Sequence, residues 1–154
     1  MPKKPTAADA ELILKLYDLR RETEMRKARN WWLVTFWPES ADEVFKIGMT
    51  LGSPENNWLR QVGGYWDMAA SLVVHGALSQ ELFLESGFSG EMFFIFAKLH
   101  PFLAELRQRF QSPTMMRNIE RVINQTKEGR ERLKITEQRI AARRQAMREA
   151  AKTN

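Results

Sequence analysis

Leu12, Leu16 and Leu19, with Ile13 and Tyr17 beside them, recur at the spacing of one face of a helix. Thr6 stands before this stripe as a cap, and Asp9 three residues later suits the capping box and the positive end of the helix dipole. The pattern runs on through the charged residues 20–29 and ends near Phe36, because Pro38 cannot continue a helix. Ser40 and Glu43 repeat the capping spacing ahead of Val44, Phe45 and Ile47, and Gly48 and Gly52 keep that helix short. Ser53-Pro54 places a cap before a proline at the first helical position. The helix it opens carries Trp58, Leu59, Val62, Trp66, Ala69, Ala70 and Val73 and stops at Gly76. Gly63 and Gly64 in its middle cost about 1 kcal/mol each against alanine, which predicts another helix crossing closely there.

Ser79 starts a brief helix through Phe83 and Leu84, and Gly87 and Gly90 frame a turn. Residues 91–110 read as a heavily apolar helix that Pro101 kinks or splits. Ser112-Pro113 repeats the cap-plus-proline signature and opens the longest helical stretch, with a bend at Gly129. No strand-like alternation supports a sheet. The expectation is an all-α fold: a compact multi-helix domain over residues 6–128, and a long, basic C-terminal helical extension over 129–154 whose end projects into solvent. Leu16, Val62, Trp66, Ala70, Val73, Phe94, Leu99, Leu103, Ile119 and Val122 are the predicted core.

Ile119, Thr126, Leu133, Ile140 and Met147 lie seven residues apart, but the companion positions Val122, Gly129, Thr136 and Arg143 are weak. A sustained heptad needs both positions apolar, so this is half a coiled coil. Leu133, Ile140 and Met147 are therefore candidates for packing on the domain or on a partner.

Charge changes the picture next. The chain of 154 residues has a formal charge of +5. Between Arg117 and Lys152 stand eleven Lys/Arg against five Glu, so all of the excess is C-terminal. Hydrophobic residues at 44% allow a proper core. The absence of cysteine removes disulfides, thiol nucleophiles and thiolate metal sites. No apolar run reaches the roughly 18–20 residues that a bilayer needs. The basic opening Met1-Pro2-Lys3-Lys4-Pro5 lacks the apolar segment of a secretory signal. A cytoplasmic setting is expected.

Chemistry is sparse. His75 and His100, the two histidines, have no metal-ligand spacing, and no metal or cofactor is expected. Asp67 precedes His75 by eight residues, about 12 Å of helical rise, so the pair could flank a substrate but not bond directly. The simpler expectation pairs Asp67 with Arg60 or Arg107. No nucleophile elbow or phosphate loop is present, and an enzyme is the least favoured class.

Residues 31–37 cover most of a helix circumference with Trp31, Trp32, Leu33, Val34, Phe36 and Trp37. They pack beneath the 91–110 helix, or Trp31, Trp32 and Trp37 form a partner interface or a shallow membrane contact. Arg139, Arg143, Arg144 and Arg148 form a cluster suited to phosphate, with no stacking aromatic in that segment for reading bases. Lys3 and Lys4 could add to it.

The runs Tyr65-Trp66-Asp67-Met68-Ala69-Ala70-Ser71-Leu72-Val73, Glu81-Leu82-Phe83 and Phe93-Phe94-Ile95-Phe96 through Arg107 resemble a family of uncharacterised bacterial and phage helical proteins, a domain of unknown function. The resemblance covers about a third of the chain and implies an all-α fold and no activity. The leading expectation is a non-enzymatic helical module that binds a protein partner or its own copy. The alternative is a nucleic-acid phosphate-backbone binder.

Overall fold

The computed structural model describes residues 3–154, and nine α-helices and no strand lie among them; Met1 and Pro2 of the basic opening fall outside. The fold is all-α. Helix α1 (Ala7–Leu19) begins as the sequence predicts. Asp9 N donates to the Thr6 hydroxyl at 3.3 Å, and the Asp9 carboxylate accepts from Thr6 N at 2.8 Å.

Asp9 does more than cap. Its other oxygen accepts from Ser79 N at 2.8 Å, tying α1 to the start of α5 (Gln80–Phe83). Hydrogen bonds from the Thr6 side chain and backbone, with the Ser79 amide and Lys3 adding, hold its carboxyl down at about 2. That lies below the value near 3.9 of an unfolded chain, so its stabilisation is complete above pH ~4 and is lost as pH falls toward 2. Acid titration of helicity should therefore show a smaller loss between those limits for Asp9→Asn than for the wild type. Equal curves would remove Asp9 from the acid transition.

The single first element expected from the sequence is two helices. Arg20 is buried, with its guanidinium 4.5 to 5.4 Å from the ring centres of Tyr17, Phe88 and Trp66, and it donates to Phe88 O at 3.3 Å. Drawing this side chain inward turns the chain off the α1 axis. Glu22 then caps α2 (Thr23–Asn30) by accepting from Met25 N at 2.9 Å. A π-helical turn, Trp31–Thr35, follows and ends in the Phe36 N to Trp31 O bond of 2.8 Å.

Helix α3 (Ala41–Met49) approaches Phe110 so closely at Gly48 that any Cβ there would meet the ring. Helix α4 (Pro54–Val74) is the central element and packs against α2, α3 and α8 (Arg117–Asn124). Trp66 at its middle is fully buried, edge-on to Tyr65, Phe83 and Phe88. Its indole N–H donates to Glu91 at 3.0 Å, and Glu91 also accepts from Arg29 at 2.8 Å, so one carboxylate on α6 (Ser86–Leu99) gathers α2 and α4. Pro101 splits the apolar helix, as predicted, through the 3₁₀ turn His100–Phe102 into α6 and α7 (Leu103–Arg109).

The long C-terminal stretch also divides. Ser112-Pro113 opens no helix, since α8 starts at Arg117 after Met116. Thr126 caps α9 (Lys127–Lys152), accepting from Gly129 N at 2.9 Å, so Gly129 belongs to a helix start and not to a bend. Rather than leaving the domain, α9 lies along α6 with Leu133 and Ile140 buried. Nine of the ten predicted core residues are buried; Phe94 is half-buried.

Candidate functional site

Where α9 lies on α6, a groove of about 610 Å³ remains open between them. Phe93 and Phe94 come from α6, Leu33 and Trp37 from the π-helical turn and the residues after it, and Arg132, Ile135, Arg139 and Arg143 from α9. Helical periodicity explains the α9 side. Leu133 and Ile140 face α6, and Arg139 and Arg143 flank Ile140 one helical turn apart. Both arginines are exposed, and neither has a hydrogen-bond or ion-pair partner among the described residues. Arg132 is committed: its guanidinium donates to Leu84 O at 2.6 Å and Ser89 Oγ at 3.1 Å, and covers the Phe93 ring at 4.2 Å.

Beneath Trp37 sits Lys98, fully buried with no carboxylate partner among the described residues. Its ammonium donates to Trp32 O and Phe36 O, the carbonyls at the end of the π-helical turn, and lies 3.8 Å from the Trp37 ring centre and 4.7 Å from that of Phe94. Burial, with Arg144 nearby, brings its pKa down to about 7. A neutral amine keeps two N–H donors, so both carbonyls remain satisfied after the proton leaves.

The residues singled out in the sequence are separated by the fold. Trp31 and Trp32 are buried, at 7% and 1% exposure, with Trp31 stacked on Phe36 and the Trp32 indole donating to Trp58 O. They are core, which corrects the expectation of an interface there; Trp37 alone of the three reaches the groove. Leu133 and Ile140 are likewise consumed inside the chain, so of the heptad candidates only Met147 is exposed. The four-arginine cluster is really a pair. Arg144 follows Ile140 by one turn on the same face and donates to Lys98 O at 3.0 Å, and Arg148 pairs with Glu39 at 2.8 Å. No aromatic accompanies these arginines along the chain, but Trp37 and Phe94 reach them from elsewhere in the fold.

Asp67 meets neither Arg60 nor Arg107. It accepts from Asn118 N, Ile119 N and Asn118 Nδ2 at 3.0, 3.2 and 2.9 Å, capping α8 from another helix. Arg107 instead bonds Met115 O and Glu120. His75 is exposed at the C-cap of α4, and it does not line the cavity that Asp67 lines. His100 pairs with Glu137 and stacks on Phe96. Lys98 was missed, although its signal is plain: one cation in the otherwise apolar run Met92–Leu99. Among the described residues no helix is long and apolar enough to cross a membrane.

Residues 5–126 match the family described as Domain of unknown function (DUF4760). The chain belongs to this family. The DUF4760 match spans α1 to α8 and stops where α9 begins, so it supplies Trp37, Phe93 and Phe94, while Arg132, Arg139 and Arg143 lie beyond it. Neither a curated protein nor a solved structure matches the chain.

Proposed function

We propose that this DUF4760 chain is a non-enzymatic, cytoplasmic docking module that holds a protein partner by an acidic and apolar segment laid between α6 and α9. The observation that supports this reading is Arg139 and Arg143, unpaired and one turn apart, beside the apolar strip of Leu33, Trp37, Phe94 and Ile135. Arginines without an internal carboxylate are free to pair with Asp or Glu of a partner. Tryptophan and arginine are also the side chains most often dominant at interfaces. The net positive charge of α9 favours the same partner.

The test is anisotropy of a labelled helical peptide with glutamates on one face and leucines on the other. Binding should weaken about tenfold in the double variant Arg139→Gln/Arg143→Gln, as expected for lost charge-assisted hydrogen bonds. Tm should stay unchanged, because both side chains are exposed. Unchanged affinity would reject the groove. Light scattering on the same samples reports whether the partner is a second copy. A second reading, a nucleic-acid backbone, is favoured by Trp37 and Phe94 standing beside the arginines. Salt-sensitive binding of an oligothymidylate in place of the peptide would select it.

A further inference from the structure

A different cavity, of about 460 Å³, opens between α4 and the turn that joins α7 to α8. Trp32, Leu59 and Leu99, all buried, belong to its lining, with Phe110, Met115 and Met116 from the turn side and Gly63 and Gly64 from α4. The size is in the range of small-molecule pockets, roughly 300–1,000 Å³.

The α4 wall carries a local cost that packing does not explain. A Cβ added at Gly63 or Gly64 would meet no atom within 4 Å, so the close helix crossing expected from the sequence is absent. Two glycines in the middle of a helix, each costing about 1 kcal/mol against alanine, front an empty space instead. Across it, Gln111 at φ 51° closes α7 in a Schellman turn, with Gln111 N donating to Gln108 O at 3.1 Å and Ser112 N to Arg107 O at 2.9 Å, and Met116 at φ 55° leads into α8.

The polar groups at the rim point to the ligand. Asp67 already accepts three hydrogen bonds. Arg60 uses Nε on Asn56 and Nη2 on Asn57, which leaves Nη1 without a partner among the described residues. The Ser112 and Thr114 hydroxyls make no hydrogen bond there either. The free cationic donor is Arg60 Nη1, and both hydroxyls can donate beside it. We infer that this cavity binds a small amphiphilic carboxylate, its apolar body against Trp32, Leu59 and Leu99 and its carboxylate at Arg60, Ser112 and Thr114.

Titration of octanoate into the full chain labelled at its methionine methyls tests this directly. Met115 and Met116 line the cavity, and the other described methionines do not, so saturable shifts should be confined to those two methyls. Octanol should bind about tenfold more weakly for want of the charge-assisted bond, and Arg60→Gln should erase that difference. Gly63→Leu places a side chain in the open space and should abolish the shifts with Tm equal or raised, since leucine is the better helix former. Gly64→Leu serves as an independent block, read with the same helicity control. Arg139→Gln/Arg143→Gln should leave octanoate binding intact, which separates this cavity from the groove. The assignment is overturned if octanoate gives no saturable shift, if the shifts survive in folded Gly63→Leu and Gly64→Leu, or if octanol binds as well as octanoate.

Discussion

Replacing Lys98 by methionine should lower the unfolding free energy by about 2–4 kcal/mol at alkaline pH, where the buried amine is neutral. Methionine keeps much of the stem's volume, so the loss does not come from a void. It comes from Trp32 O and Phe36 O, the two carbonyls that the Lys98 amine bonds. Buried carbonyls left without donors cost about 1–3 kcal/mol each. The pH dependence identifies the group. The folded pKa of about 7 lies below the unfolded value near 10.4, so between these limits the unfolded chain binds more protons than the native one. Stability then rises with pH across that window in the wild type. Denaturant melts at several pH values should show this slope in the wild type and a flat profile in Lys98→Met. A variant as stable as the wild type at alkaline pH would mean that the carbonyls find other donors.

Removal of the Glu91 carboxylate is the second large effect. Glu91→Ala should cost about 3 kcal/mol, because the Trp66 indole N–H loses its acceptor in a fully buried place and Arg29 loses its ion pair. The two losses differ in kind. Arg29 is part-exposed and can rehydrate, whereas Trp66 cannot. Glu91→Gln retains an amide oxygen for the indole and should recover about half of the loss. Urea melts with tryptophan emission as the probe distinguish the two variants. If both are equally destabilised, the ion pair of α2 with α6, and not the indole bond from α4, carries the contribution of Glu91.

What the sequence discloses is what acts within a turn or two of chain. Thr6, Ser40, Ser53, Ser79 and Pro101 begin or break helices through their own neighbours, and each is found where the pattern puts it. The break at residues 20–22 stays hidden because its cause is distant: Arg20 bonds the carbonyl of Phe88, sixty-eight residues away. Ser112-Pro113 misleads for the reciprocal reason, since the cap of α8 is the carboxylate of Asp67, about fifty residues earlier. The arginine cluster is legible as composition and illegible as geometry. Arg144 continues the Leu133 and Ile140 face and turns inward, a register that the charge pattern alone conceals. The groove itself joins residues from three parts of the chain, and no local pattern could have assembled it.

The capping of α8 by Asp67 also orders events in time. An isolated helix of eight residues, without a cap of its own, falls below the length that sustains helicity in water. Its first turn gains a cap only once α4 is formed and docked, so α8 is expected to form after α4 and to open before it, and hydrogen exchange at the two helices checks this. The amides of Asn118 and Ile119 mark that opening, and exchange with solvent there runs ahead of exchange at the buried centre of α4.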